Sequence, residues 1–211
     1  MMRYYTGQHQ YYCGVDLHAR TMYLCIVNQA DEILYHKEIP TKADLFLETL
    51  APYRQDVVVS VECIFTWYWL ADLCTEQQIP FVLGHALYMK AIHGGKAKND
   101  KIDSYKIAAL MRGGTFPLAY VYPEEMRATR DLLRRRTKMV NYGAQLKAHV
   151  KNTVSQYNLP AHQLNLRYPN ARESMRNTFS QVSVQRNVDL DLDMIGHINA
   201  ELSKVEYYIE K

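Results

Sequence analysis

Tyr11-Tyr12-Cys13-Gly14-Val15-Asp16-Leu17 is the stretch on which the rest of the chain hangs. Its apolar and aromatic density reads as a strand crossing a core. Within it stands one carboxylate, Asp16, and a buried acid costs several kcal/mol unless it is paired or bound to a cation. Working outward, His18-Ala19-Arg20-Thr21 turns the chain into a second strand over 22–28, and Ala30-Asp31-Glu32 turns it again. In a third strand over 33–39, Ile33, Tyr35, Lys37 and Ile39 alternate with Leu34, His36 and Glu38, the period of a sheet with one wetter face. Thr41 is the expected N-cap of a helix over 42–50 with Leu45, Phe46 and Leu50 as its apolar stripe.

The β-branched run from Val57 to Val61, closed by Glu62, reads as a strand buried on both faces. An aromatic helix over 65–78, Pro80 and a strand over 81–83 follow. A further helix opens at Lys98-Asn99-Asp100-Lys101-Ile102-Asp103-Ser104. The order β-β-β-α-β-α-β-α by itself supports an α/β class. Three meandering strands followed by βαβ units are the RNase H-like (RuvC-like) arrangement: a mixed sheet with flanking helices. A catalytic domain over 1–122 and a helical, coiled-coil-like region over 123–211 are the expected divisions.

With 211 residues and 48% hydrophobic content, the chain is long enough to bury a substantial core. The N-terminal residues lack the apolar region of a signal peptide, and no apolar run approaches the ~20 residues that span a bilayer. A soluble, cytoplasmic protein is expected. Cys13, Cys25, Cys63 and Cys74 form no C-x-x-C pair and read as small buried hydrophobes. The net charge of +3 is too modest to name a partner, so the distribution of charge has to do so.

Each carboxylate has a plain reading. Asp16 can be a hairpin acid, Glu62 a strand end, and Asp100 with Asp103 a helix-start device. Their joint placement suggests more. In an RNase H-like sheet the first strand is central and the strand after the first helix lies beside it, so Asp16 and Glu62 can face one point. Asp100 and Asp103, three apart, share a helix face. Four such carboxylates suit a hard, oxygen-liking cation, Mg²⁺ or Mn²⁺, in phosphodiester chemistry.

The segments around Asp16, the Val59-Ser60-Val61-Glu62 run and the Lys-x-Asp-x-x-Asp element at Lys98–Asp103 together resemble the DEDD transposases, insertion-sequence recombinases related to the Piv DNA invertase. The resemblance spans roughly 11–110 in order and spacing. It implies a RuvC-like N-terminal domain, Asp16, Glu62, Asp100 and Asp103 as a catalytic metal-binding tetrad, and metal-dependent DNA cleavage and strand transfer in transposition. It also implies partnership with an element-encoded guide RNA. Family members often carry a small, glycine-containing turn after the glutamate, where this chain has Cys63-Ile64-Phe65-Thr66-Trp67. Nothing here matches their C-terminal, serine-containing domain, so the chain reads as the N-terminal part of a longer recombinase and is expected to need that domain for activity. A stand-alone RuvC-like structure-specific endonuclease and a non-catalytic nucleic-acid-binding or dimerisation fragment are the alternative readings.

The second half points to a nucleic-acid partner. Eight Lys/Arg fall between positions 127 and 151 against one acid, Asp131. Arg127, Arg130, Arg134 and Lys138 recur near one helical face, with Arg135 and Arg136 beside them, as befits a surface tracking phosphates. Lys96 and Lys98, in a Gly-Gly-Lys loop before Asp100, are expected to reach a phosphate as well. Leu132/Leu133, Met139/Val140, Leu146, Val150 and Val154 form a heptad-like seam that suggests helix pairing or a homo-oligomer. A final helix over 188–209 is expected to pack on the basic one. His18 reads as a turn or packing residue, and Trp67 and Trp69 as core.

Overall fold

The structure, a computed structural model, describes residues 3–93, 99–159 and 165–211, with the side chains of 90–93 outside that description. Lys96 and Lys98 therefore lie outside the described residues. The chain divides into two compact units, Met1–Glu124 and Glu125–Lys211.

The first unit is built on a five-stranded sheet of order β3-β2-β1-β4-β5. β1 (Tyr11–Leu17), β2 (Thr21–Asn28) and β3 (Ile33–Pro40) form an antiparallel meander, while β4 (Val57–Glu62) and β5 (Phe81–Gly84) run parallel to β1. This is the RNase H-like order expected from the sequence, with β1 central. Strand pleating sends alternate residues to opposite faces. Cys13, Val15 and Leu17 of β1 and Val57, Val59 and Val61 of β4 join one core, with Phe46 and Leu50 of α1 (Ala43–Leu50) and Trp67, Leu70, Ala71 and Cys74 around α2 (Tyr68–Glu76). Tyr12 and Val58 join the other, with Met89 of α3 (Ala86–His93) and Ile107, Ala108 and Met111 of α4 (Asp100–Arg112). Each of these fully buried aliphatic or aromatic side chains contributes about 1.5–3 kcal/mol, which is what the two-sided apolar character of β1 and β4 encodes.

Local details depart from the sequence reading. Thr41 does not cap α1: the N-cap is Lys42 without a side-chain bond, and the Thr41 hydroxyl donates instead to the carbonyl of His18 at 3.0 Å. The N-cap of α4 is Asn99, whose side chain accepts from the Lys101 N–H, so neither Asp100 nor Asp103 is used as the cap. α2 begins at Tyr68 rather than at 65, because 63–67 forms a separate turn. α3 was not expected. Burial pushes the Cys25 and Cys74 thiols up to about 12 and raises that of Cys13, as inert core thiols require.

In the second unit, α5 (Glu124–Gln156) is followed by α6 (Pro169–Glu173), with Pro169 at its first turn, and then by α7 (Val182–Glu210). Arg136 meets Glu206 and His149 meets Asp191, so α5 and α7 run antiparallel. Val150, Val154, Val188, Leu192 and Ile195 close a core with Leu166, Met175 and Phe179. The C-terminal part of the expected seam thus pairs within the chain, and Leu133 and Val140 remain exposed. No described helix is long and apolar enough to cross a membrane.

Candidate metal centre

Gly14 explains how the site is assembled. A Cβ at this position would lie 2.2 Å from the backbone oxygen of Ser104 and 2.4 Å from the backbone nitrogen of Ala108. Only glycine lets the backbone of α4 settle this closely on β1. Ser104, Ile107, Ala108 and Met111 make the buried stripe of α4, and one turn back along that stripe stand Asp100 and Asp103. The close approach at Gly14 therefore brings the first turn of α4 to the end of β1 that carries Asp16.

Other contacts hold α4 in place. His36 Nε2 on β3 lies 2.7 Å from the carbonyl of Lys101 and 3.3 Å from the hydroxyl of the fully buried Ser104. Further along α4, Tyr105 donates to Asp31 at 2.8 Å and Arg112 pairs with the same carboxylate at 3.0 Å. Asp31 itself sits at φ 69° in the β2–β3 turn, a conformation Asp tolerates better than most residues.

At the carboxyl end of β1, ligand atoms of Asp16, His18 and Asp100 all lie within 4.8 Å of one another. His18 Nε2 is 3.5 Å from Asp16 Oδ2 and 3.5 Å from Asp100 Oδ2. Asp16 is the most enclosed of the three, its side chain 17% exposed against 45% for His18 and 49% for Asp100. Burial pushes the Asp16 carboxyl above its usual value. His18 pulls it back, while the carboxylates of Asp100 and Asp103 push it further up.

Glu62 and Asp103 lie outside that 4.8 Å group. Val15 pairs with Val61 in the parallel β1–β4 ladder, so Asp16 and Glu62 are the next residues on adjacent strands. Both occupy the pleat positions of Tyr12 and Val58, which face α4. Asp103 is 3.4 Å from Lys106 and close enough to act on Asp16. The four expected acids thus share one layer between sheet and α4, three of them electrostatically coupled.

Two residues were under-read in the sequence. His18, expected as a turn or packing residue, has its ring between two carboxylates; its spacing from Asp16 was the available signal. Gly14 is the other: a glycine inside an apolar strand commonly marks a close backbone approach, and that was its signal.

The cationic residues of α5 divide. Arg134, Arg135 and Lys138 are exposed. Arg127 is buried at 7% exposure, Arg130 lies 3.2 Å from Asp131, and Arg136 is held by Glu206 at 2.5 and 2.9 Å. The expected one-faced stripe narrows because Arg127 is out of solvent, and of the two arginines beside it Arg136 is engaged by a carboxylate of α7.

Among proteins of known kind, the model of the DEDD transposase family of IS110 type, described as "Transposase", matches residues 13–159. T. thermophilus RuvC in complex with Holliday junction substrate is similar in structure at 18% identity and a TM-score of 0.37, over 52% of this chain and 100% of that one. No curated protein matches the sequence. Because the family model covers well over half of its length, the chain belongs to the DEDD transposases of the IS110 family.

Proposed function

We propose that this chain carries the metal-dependent DNA-cleaving and strand-transferring site of a transposase, with Asp16, Glu62, Asp100 and Asp103 as ligands of Mg²⁺ or Mn²⁺ and His18 as an added nitrogen donor. The observation that carries the reading is the convergence of Asp16, His18 and Asp100 within 4.8 Å from segments more than 80 positions apart.

The donor set fits such an ion. Carboxylate oxygens suit Mg²⁺ and Mn²⁺, and one imidazole is acceptable to Mn²⁺. Burial, and after it the carboxylates of Asp100 and Asp103, hold the Asp16 carboxyl above its usual value, and a divalent ion at this place would favour its charged form. When bound, the ion supplies positive charge to the attacked phosphate and to the departing oxygen. The protein's own part is positional: β1 and β4 hold Asp16 and Glu62 side by side, and Gly14 and His36 set the depth of α4 and thus of Asp100 and Asp103.

Exposed Arg134, Arg135 and Lys138 serve as a phosphate-binding surface for DNA or for a guide RNA. Met126, Leu133 and Val140, seven residues apart and exposed along α5, are the contact offered to a second copy in an oligomer.

The reading is tested by titrating Mn²⁺ and Mg²⁺ calorimetrically into the wild type and the Asp16→Asn/Asp103→Asn variant, with and without DNA. Saturable binding that the variant loses supports the site. Equal behaviour of both proteins with DNA present would return these aspartates to structural roles and leave a basic binding module.

A further inference from the structure

The carboxylate of Asp31 sits at the end of the sheet remote from the proposed metal centre. Tyr11 pairs with Asn28 at the start of β1, and Asp16 pairs with Tyr23 near its end. The β2–β3 turn is therefore roughly 17 Å along the strands from the Asp16 row. That turn is built without help from α4. The Asn28 side-chain oxygen accepts from the N–H groups of Ala30 and Glu32 at 3.0 and 2.9 Å, and its amide donates to Glu32 at 2.7 Å. The Gln29 amide donates to the carbonyl of His9 at 3.1 Å. Asp31, at φ 69°, is thus offered to α4 from a frame that stands by itself.

α4 meets this frame through two residues about two helical turns apart on one face. Tyr105 donates its hydroxyl to Asp31 Oδ2 at 2.8 Å. Arg112 Nε stands 3.0 Å from Asp31 Oδ1, and these two atoms are shut off from solvent. Arg112 also donates to the Gln29 carbonyl at 3.4 Å. Pairing charges out of water contributes little net stability, because desolvation opposes it; what it imposes is direction. The bed under α4 supplies depth instead, since the helix rests on Gly14 through backbone atoms of Ser104 and Ala108. Asp100 and Asp103 precede that contact along the helix and Arg112 follows it. α4 is therefore a lever, with the site's carboxylates on one arm and the Asp31 grip at the pivot and on the other.

We propose that Asp31 is a positioning residue for the metal centre: bonded to Tyr105 and paired with Arg112, it sets the rotation of α4 and so the placement of Asp100 and Asp103 against Asp16. The inference rests on the metal-centre reading above. Its consequence is ion selectivity. Mg²⁺ demands near-ideal octahedral ligand placement at about 2.0–2.1 Å, whereas Ca²⁺ accepts irregular shells at about 2.3–2.6 Å. A turned or tilted α4 therefore penalises Mg²⁺ and spares Ca²⁺, while a general loss of stability lowers both alike.

The test titrates Mg²⁺ and Ca²⁺ calorimetrically into the full chain and into Asp31→Ala, Asp31→Asn and Tyr105→Phe, well below every melting temperature. Asp31→Ala should lower Mg²⁺ affinity by about tenfold, the low end for lost outer contacts of a metal site, and leave Ca²⁺ affinity nearly unchanged. Tyr105→Phe, which removes one hydroxyl and keeps the ring, should shift the ratio the same way by less. Asp31→Asn tolerates the same backbone angle and still accepts from Tyr105, so it should stay near wild type. An unchanged Mg²⁺/Ca²⁺ ratio in Asp31→Ala, whether both affinities hold or both fall equally, overturns the positioning role and leaves the metal centre standing. Should Asp31→Ala fail to fold, the ratio in Tyr105→Phe decides in the same way. Wild type that binds neither ion overturns both readings.

Discussion

The imidazole Nε2 of His18 lies 3.5 Å from Oδ2 of Asp100, a residue 82 positions further along the chain, and it lies equally far from Oδ2 of Asp16. The end of β1 and the start of α4 are thereby joined through one ring, in a place where carboxylates alone would repel.

If that ring is a ligand, it should shape metal preference. His18→Ala is expected to weaken Mn²⁺ binding by about tenfold and Mg²⁺ binding less, since imidazole suits Mn²⁺ better than it suits Mg²⁺. Calorimetric titration of both ions into both proteins gives the ratio. An unchanged Mn²⁺/Mg²⁺ ratio would remove His18 from the donor set.

Gly14→Ala should damage stability and site together. The new methyl would meet backbone atoms of Ser104 and Ala108, which cannot rotate away as a side chain would. A cost of about 2–3 kcal/mol is expected, in the range of overpacked cores, read as a lower urea midpoint with an unchanged slope. Folded variant should also bind Mn²⁺ more weakly, because α4 carries Asp100 and Asp103 away from β1. Full metal affinity in a destabilised variant would separate the glycine from the site.

Asp56 provides a pH-dependent prediction at the amino end of the sheet. His9 Nδ1 donates to Asp56 at 2.7 Å, Tyr5 O–H donates to His9 Nε2 at 2.6 Å, and the Gln10 N–H donates to Asp56 at 2.8 Å. The His9 hydrogen bond, aided by that of Gln10, holds the Asp56 carboxyl below its usual value. A depressed carboxyl means that the unfolded chain binds the proton more readily. The stability it contributes is therefore present above about pH 4, the ordinary carboxylate range, and is lost as pH falls through the depressed value. Asp56→Asn should cost about 1 kcal/mol at pH 7, discounted for exposure, with the gap to wild type closing in acid. A constant gap between pH 7 and pH 2.5 in denaturation curves would contradict it.

On α5, neighbouring arginines should behave differently. Reversing Arg134, Arg135 and Lys138 to Glu should weaken DNA or RNA binding and flatten the log–log salt dependence by about 2–3, one phosphate contact per cation. Arg136→Gln should leave that slope nearly unchanged and lower thermal stability slightly, by about 0.5–1 kcal/mol, because its partner is Glu206 and the pair is partly exposed. Equal salt slopes for the wild type and the triple variant would refute the surface.

Much of the first unit was legible residue by residue. Tyr11–Leu17 matched β1 to its ends, and the β-branched run before Glu62 matched β4, because burial on both faces writes itself as uninterrupted apolar sequence. The start of α2 moved because 63–67 forms a separate turn, and the caps of α1 and α4 fell to residues other than the expected ones. Thr41 turned to His18 and Asn99 took the cap that Asp100 could have held, since a short polar side chain has several backbone partners within reach and only the assembled loop selects one. The buried state of Arg127 and the engagement of Arg136 by Glu206 were equally hidden, because a helical period gives the face a residue occupies and not what lies opposite it.

By itself, then, the sequence determined the succession of strands and helices along the first unit, the two-sided burial of β1 and β4 and the residue types available for a hard cation, all of which follow from local hydrophobic period and side-chain chemistry. Tertiary structure alone decided that α4 could rest against Gly14 and that His18 would stand between Asp16 and Asp100. These depend on backbone approaches between segments tens of residues apart, where a few tenths of an ångström separate contact from clash, and no local pattern in the chain carries that distance.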